Sequence, residues 1–294
     1  MEKPLVSICC ICYNQEKYIR QTLDGFVMQQ TTFPFEVVIS DDCSKDGTRQ
    51  IIAEYKNKYP KMFRDVSPEQ NLGSITNFAH VQKEAKGKYV AICEGDDYWT
   101  DSLKLQKQVD FMEAHQEYSI CFHSVQVYNE KKQQLEEDTI TCEVSETTDI
   151  YELANGNYMH TPSVMVRNNE DVLKRFNDMG AIMPGDYVLW MLYAEKGKIW
   201  KMEDSMAVYR VGSGMWSTDD SIKPEVVMLM TLNKLWMAIE DPQVKQILNK
   251  QIQKQKQYVL EIAAHQERDL NTIRASRAYR IGKALLAPFK WMKK

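Results

Sequence analysis

The chain has 294 residues, 44% hydrophobic and 27% charged, with a formal net charge of −4. That balance excludes a disordered tail, a fibrous repeat and a disulfide miniprotein, and the length suffices for one large core with or without an appendage. No apolar run reaches the roughly 18 residues needed to span a bilayer. The opening MEKPLVSICC reads without a signal peptide, so a cytoplasmic protein is expected.

In chain order, Leu5–Tyr13 is a continuous apolar run, as expected of a strand covered on both faces. Glu16–Gln29 predicts a helix with Tyr18, Ile19, Leu23, Phe26 and Val27 on one side. Phe35–Ser40 is a second buried strand, followed by a helix over Thr48–Tyr59. A loop with Pro68 and Gly73 leads to a helix over Ile75–Ala85, the strand Tyr89–Cys93, a helix over Ser102–Ala114 and the strand Ser119–Tyr128. Residues 129–150 are polar without a period and read as a surface excursion. Val164–Val166 is a strand, Asp186–Glu195 a helix, and Ile199–Met202 and Ala207–Val211 two short strands; from about residue 225 the pattern is helical to the end. Repeated strand–helix units predict a mostly parallel sheet, in which ligands bind just beyond the carboxyl ends of the strands.

The seven cysteines do not make a metal framework. Cys9, Cys10, Cys12, Cys93 and Cys121 lie in apolar runs, and Cys9 and Cys12, three apart in a strand, point to opposite faces. Reduced, buried thiols are expected. Of the five histidines, His80, His115, His123, His160 and His265, no two have the spacing of a helical metal site, and each reads as surface or satisfied core. Nucleophile-elbow, Walker and dinucleotide glycine motifs are lacking.

The residues just beyond the strand ends carry the chemistry. Tyr13-Asn14 comes after the first strand, Asp41-Asp42 after the second, and Glu94-Gly95-Asp96-Asp97 after the strand Tyr89–Cys93. Two carboxylates after a buried strand suit an oxygen-liganded Mg²⁺ or Mn²⁺ holding a diphosphate, although acidic loops and helix caps give the same tripeptide GDD. Asp46 or Thr48 as a helix cap accounts for the end of DDCSKDGT but not for its paired acids. An aromatic such as Tyr13 at a strand end can stack on a base.

The order VSICCICYNQEKYI, VVISDDCSKDGT, NLGSITNFAHVQKEAKGKYVAICEGDDYW resembles the inverting glycosyltransferases of family 2 over roughly residues 4–115. The resemblance implies an α/β GT-A fold, a mostly parallel, Rossmann-like sheet flanked by helices. It implies a nucleoside-diphosphate sugar donor, UDP by preference, a Mn²⁺ or Mg²⁺ cofactor and transfer to a saccharide hydroxyl. Carried over, Tyr13, Asn14, Glu16, Asp41, Asp42 and Asn71 would serve the nucleotide. Glu94 and Asp96 would lie near the ribose, and Asp96 or Asp97 near the metal. MPGDYVLWM resembles the family's acidic helix start and makes Asp186 the candidate general base; a helix-dipole carboxylate is the plainer reading. Trp99, Tyr209, Arg210 and Trp216 would form the acceptor side and a lid. The chain departs from the family at Gly212, where many relatives have histidine, and at Ile11-Cys12, where Pro-Thr is frequent. A nucleotidyltransferase lacks its basic glycine loop here, whereas a catalytically idle nucleotide-binding or scaffold protein stays open.

Charge is uneven: residues 245–294 hold twelve Lys/Arg against three acids, so the acidic excess lies wholly in the first 244. In the tail ASRAYRIGKALLAPFKWMKK, Ile281, Leu285, Pro288 and Met292 form an apolar stripe widened by Leu286, Phe289 and Trp291. Arg277, Arg280, Lys283, Lys290 and Lys294 face elsewhere. Such a helix suits an anionic membrane surface, each basic group contributing about 1 kcal/mol there. Docking on its own domain or on a second copy, giving a homo-oligomer, is the alternative; nothing in the acidic body suggests nucleic acid. The expected organisation is a GT-A unit over residues 1–224 and a helical segment over 225–294. The protein would lie on the inner face of the cytoplasmic membrane, with a lipid-linked saccharide or growing polysaccharide as acceptor.

Overall fold

The computed structural model describes residues 3–141, 144–180, 184–212 and 224–275. Ten strands form one sheet: β1 Val6–Cys12, β2 Phe35–Asp41, β3 Phe63–Asp65, β4 Tyr89–Ile92, β5 Tyr98–Trp99, β6 Tyr118–Asn129, β7 Gln134–Glu136, β8 Thr147–Thr148, β9 Met165–Arg167 and β10 Lys198–Val211. Along the sheet the order is β3-β2-β1-β4-β9-β6-β10-β5, with β7 beside β6 and β8 beside β10. The helices are α1 Ile19–Val27, α2 Thr48–Lys58, α3 Ser74–Lys83, α4 Lys104–Ala114, α5 Ile150–Leu153, α6 Glu170–Asp178, α7 Gly185–Ala194, α8 Pro224–Ala238 and α9 Pro242–Ala275.

Two apolar layers sandwich this sheet. On one face Val6, Ile8, Cys10 and Cys12 pack with Ile19, Leu23 and Phe26 of α1, Ile52 of α2 and Leu105 of α4. On the other, Cys9, Val38, Val90 and Ile92 pack with Phe78 of α3, Phe176 of α6 and most of α7. Cys9 and Cys12 thus lie on opposite faces, as strand alternation requires. α1 buries Ile19, Thr22, Leu23 and Phe26, one stripe at helical spacing. α7 is apolar on every side and is the central helix of its layer. Leu232 and Leu235 of α8 and Val244, Leu248 and Ile252 of α9 join the same layer, so the C-terminal helices extend the main core.

The parallel units agree with the sequence reading, and three details correct it. β9 runs antiparallel to both β4 and β6, so the sheet is mixed. Ile199–Met202 and Ala207–Val211 belong to one irregular strand, β10, whose register against β6 shifts between Met202 and Val208. Residues 129–150 are no free excursion: β7 forms a hairpin with β6, and β8 pairs with β10.

Candidate active site

Because β1, β2, β4, β6 and β10 point the same way, the segments after them meet at one edge. Cys12 pairs with Asp41 across β1 and β2, while Gly95, after β4, donates its N–H to the Ile11 carbonyl at 2.9 Å. A Cβ on Gly95 would come within 2.7 Å of the Cys12 Cβ, so only glycine lets the acidic loop lie this close to β1.

The loops after β1 and β2 are laced together. Asn14, at φ 52°, donates its N–H to Ser44 Oγ (2.8 Å) and accepts from the Lys45 N–H (2.8 Å). Glu16 accepts from the Gly47 N–H at 2.6 Å. Asp41 accepts from the Ser44 hydroxyl and its N–H, with Arg49 Nε 3.6 Å away. Both Asp42 oxygens are occupied by backbone donors, Leu72 N–H at 2.7 Å and Gly73 N–H at 2.9 Å, while Asn71 donates to the Asp42 carbonyl at 2.8 Å. Asp42 and Asn71 therefore fasten the loop before α3 to the end of β2. Tyr13, next to Asn14, is half-buried.

The second acidic loop is held differently. β5 pairs antiparallel with β10, Tyr98 facing Val208, which brings Arg210 beside Asp97. The Arg210 N–H donates to Asp97 Oδ1 at 2.7 Å, and its guanidinium donates to the Asp96 carbonyl and Gln21. The same guanidinium meets Glu130 at 3.1 Å and lies 5.0 Å and 4.5 Å from the ring centres of Tyr18 and Tyr98. Asp97 Oδ2 is buried with no partner. Burial, followed by the charge of Asp96, pushes the Asp97 carboxyl well above the usual range. Burial, then Asp96 and Asp186, pushes Glu94 up to about 8.

Asp186 opens α7, where Asn157 Nδ2 donates to it at 3.3 Å. Burial raises its carboxyl, and the Tyr187 N–H, its own N–H, His160 and Asn157 oppose that rise. Tyr209 joins the groups into one site: its phenol is pushed upward by burial, then by Asp97, Glu94, Asp186 and Asp96. Four carboxylates from two separate stretches thus act on one phenol.

Of the residues expected on the acceptor side, Tyr209 faces these acids. Trp99 does not: it is 2% exposed, donates Nε1–H to the Pro162 carbonyl at 2.9 Å and meets Phe26 edge-on, so it is a core wall. Arg210 alternates to the other side of β10 from Tyr209 and braces the acidic loop from behind, so it is no lid. Trp216 lies outside the described residues. Glu130, Asn157, Asp138 and His160 were not anticipated. The one available signal was that residues before an antiparallel strand, here His160 before β9, share the edge of residues after parallel ones.

A mixed sheet in this order, with helices on both faces and acids at the carboxyl edge, defines a GT-A type fold. The model of glycosyl transferase family 2 matches residues 7–173. The chain belongs to that family. The uncharacterized protein Rv1520 of Mycobacterium tuberculosis is 42% identical over 214 residues, 72% of this chain and 60% of that protein. The chain thus spans 60% of the length of that relative. TuaG of Bacillus subtilis, a putative teichuronic acid biosynthesis glycosyltransferase, is 39% identical over 110 residues, 37% of this chain and 42% of that one. Among solved structures, S. aureus TarS 1–349 in complex with UDP-GlcNAc superposes with a TM-score of 0.65 at 21% identity, covering 85% of this chain and 72% of that one. The mannosyltransferase PcManGT of Pyrobaculum calidifontis, in complex with GDP-Man and Mn²⁺, gives 0.56 at 16% identity, covering 98% and 85%. At these identities the likeness is one of fold.

Proposed function

We propose that the protein is an inverting glycosyltransferase that moves a sugar from a UDP-sugar to a saccharide hydroxyl, with residues 1–224 as its GT-A unit. The observation that carries this reading is that the loops after β1, β2 and β4 meet at one edge, where the charges of Glu94, Asp96, Asp97 and Asp186 all bear on Tyr209. Uncompensated buried carboxylates are costly unless a cation or a proton joins them, and Asp97 Oδ2 is an unused hard-oxygen donor. These residues fit Mn²⁺ or Mg²⁺, with Asp97 and Asp96 as its protein ligands. Among the described residues no three His, Cys, Asp or Glu groups form a ready cage. That suits an ion held by one or two carboxylates and completed by phosphate and water. When bound, the ion supplies charge neutralisation for the leaving diphosphate. Gly212, at φ 91°, has a backbone that a histidine seldom adopts, so the family's histidine is not simply missing from an otherwise matching loop.

In this reading Tyr13, Asn14, Glu16 and Asp41 border the nucleotide, Asp42 and Asn71 shape its loop, and Glu94 and Asp96 face the ribose. Asp186 takes the acceptor proton as the hydroxyl oxygen bonds to the anomeric carbon and the bond to the diphosphate oxygen breaks. The likeness to TuaG favours a surface polysaccharide acceptor. The basic tail favours a peripheral place on the inner membrane face; it lies outside the described residues, and among those described no helix is long and apolar enough to cross a membrane. A panel of nucleotide sugars with Mn²⁺ and Mg²⁺ identifies the donor. With it, Asp186→Asn is expected to lower turnover by about 10²–10⁴-fold while UDP affinity holds. Unchanged turnover would refute the assignment of the base.

A further inference from the structure

His160 lies three residues after Asn157, which donates to Asp186. It precedes the 3-10 turn Thr161–Ser163, and its ring lies on Tyr209 with centroids 4.5 Å apart. Its Nε2 is 3.1 Å from Asp138 Oδ1, with the two side chains 5% and 12% exposed. Asp138 accepts from the Ile140 N–H at 2.9 Å and from the Thr141 hydroxyl, and Lys201 Nζ donates to the Thr141 carbonyl at 2.7 Å. The polar segment after β6 is thereby fastened where it delivers Asp138. The titratable groups around the imidazole are Asp138 from that segment, Tyr209 from β10 and Asp186 from α7, with Glu94 next to Asp186.

A buried histidine–carboxylate pair is a weak device for stability alone, because desolvation offsets the attraction. Its established physical use is to fix the ring's orientation. We infer that Asp138 and His160 are positioning residues that keep Asp186 in its proton-accepting form and set the angle of the Tyr209 ring. No bond forms or breaks at His160. The inference rests on Asp186 being the base, and the support is electrostatic as well as geometric: the charge of His160 opposes the upward push that burial gives Asp186.

The test uses the full chain and the UDP-sugar that supports turnover. His160→Gln is expected to lower kcat about tenfold and to move the acidic limb of its pH profile upward by about one unit. UDP affinity, measured by calorimetry, stays unchanged. Asp138→Asn keeps the side chain's shape, is expected to lower kcat several-fold at constant UDP affinity, and decides the matter if His160→Gln does not fold. An unmoved kcat and acidic limb, or a parallel loss of UDP affinity, overturns the inference. Turnover retained by Asp186→Asn overturns the underlying base reading instead, so the two failures are distinguishable.

Discussion

The loops after β2 and β4 look alike in sequence, each placing adjacent aspartates at the end of a buried strand, yet they are opposite in electrostatics. Asp42 has both oxygens filled by the amides of Leu72 and Gly73. Asp97 shares one oxygen with the Arg210 N–H and leaves the other buried and unpartnered. Asp42 is finished within the protein, whereas Asp97 keeps one buried oxygen open. Under the proposed function, the place for a cation or a proton is therefore beside Asp97 and not beside Asp42.

The difference predicts which substitutions hurt. Arg210→Met removes the buried cation behind the second loop, takes the guanidinium donor from the Asp96 carbonyl and Gln21, and leaves Glu130 with Lys17 as its cation. It is expected to cost about 3–5 kcal/mol in chemical denaturation. A cost near zero would mean that the loop is held without it. Asp42→Asn turns an acceptor of two amides into a group that can accept only on one side, with an expected loss of about 1–3 kcal/mol. Asp97→Asn is expected to be close to neutral for the cation-free protein, since its carboxyl is already pushed toward the neutral form. Equal losses in the two variants would erase the contrast.

A pH-dependent effect tests burial of charge beneath the second loop. Lys104 is fully buried, with Nζ 2.7 Å from Gln108 Oε1 and 4.2 Å from the Trp99 ring centre. Burial lowers its ammonium from 10.5 to about 7. Between those values the unfolded chain binds more protons than the native one, so this lysine makes stability rise with pH from about 7 upward. Relative to Lys104→Met, the wild-type Tm should gain about 2–4 °C between pH 7 and 8, where the linkage amounts to about 1 kcal/mol and each kcal/mol is worth that much. A difference independent of pH would show that the lysine does not lose its proton there.

Much of the site's first half was legible because its signals are local. A strand–loop–helix unit carries its own acids, and parallel strands send every such loop to one edge, so Asp41, Glu94, Asp96 and Asp97 could be placed from sequence order. Asp186 came from the likeness of MPGDYVLWM to a family motif, since a helix-start carboxylate alone has a plainer reading. Trp99 and Arg210 were misread because an aromatic or a cation beside an acidic motif looks the same whether it faces solvent or core; only the β5–β10 pairing decides. His160 and Asp138 were invisible because β9 runs backwards and the polar segment folds inward.

By itself, then, the sequence determined the long strands and helices of the first half and the run of acids after the strands, since alternation and helical spacing are properties of neighbouring residues. Tertiary structure decided which acids remain unpartnered and which distant side chains stand behind them. Desolvation and pairing depend on atoms brought within a few ångströms from far along the chain, such as Arg210 to Asp97, 113 positions away.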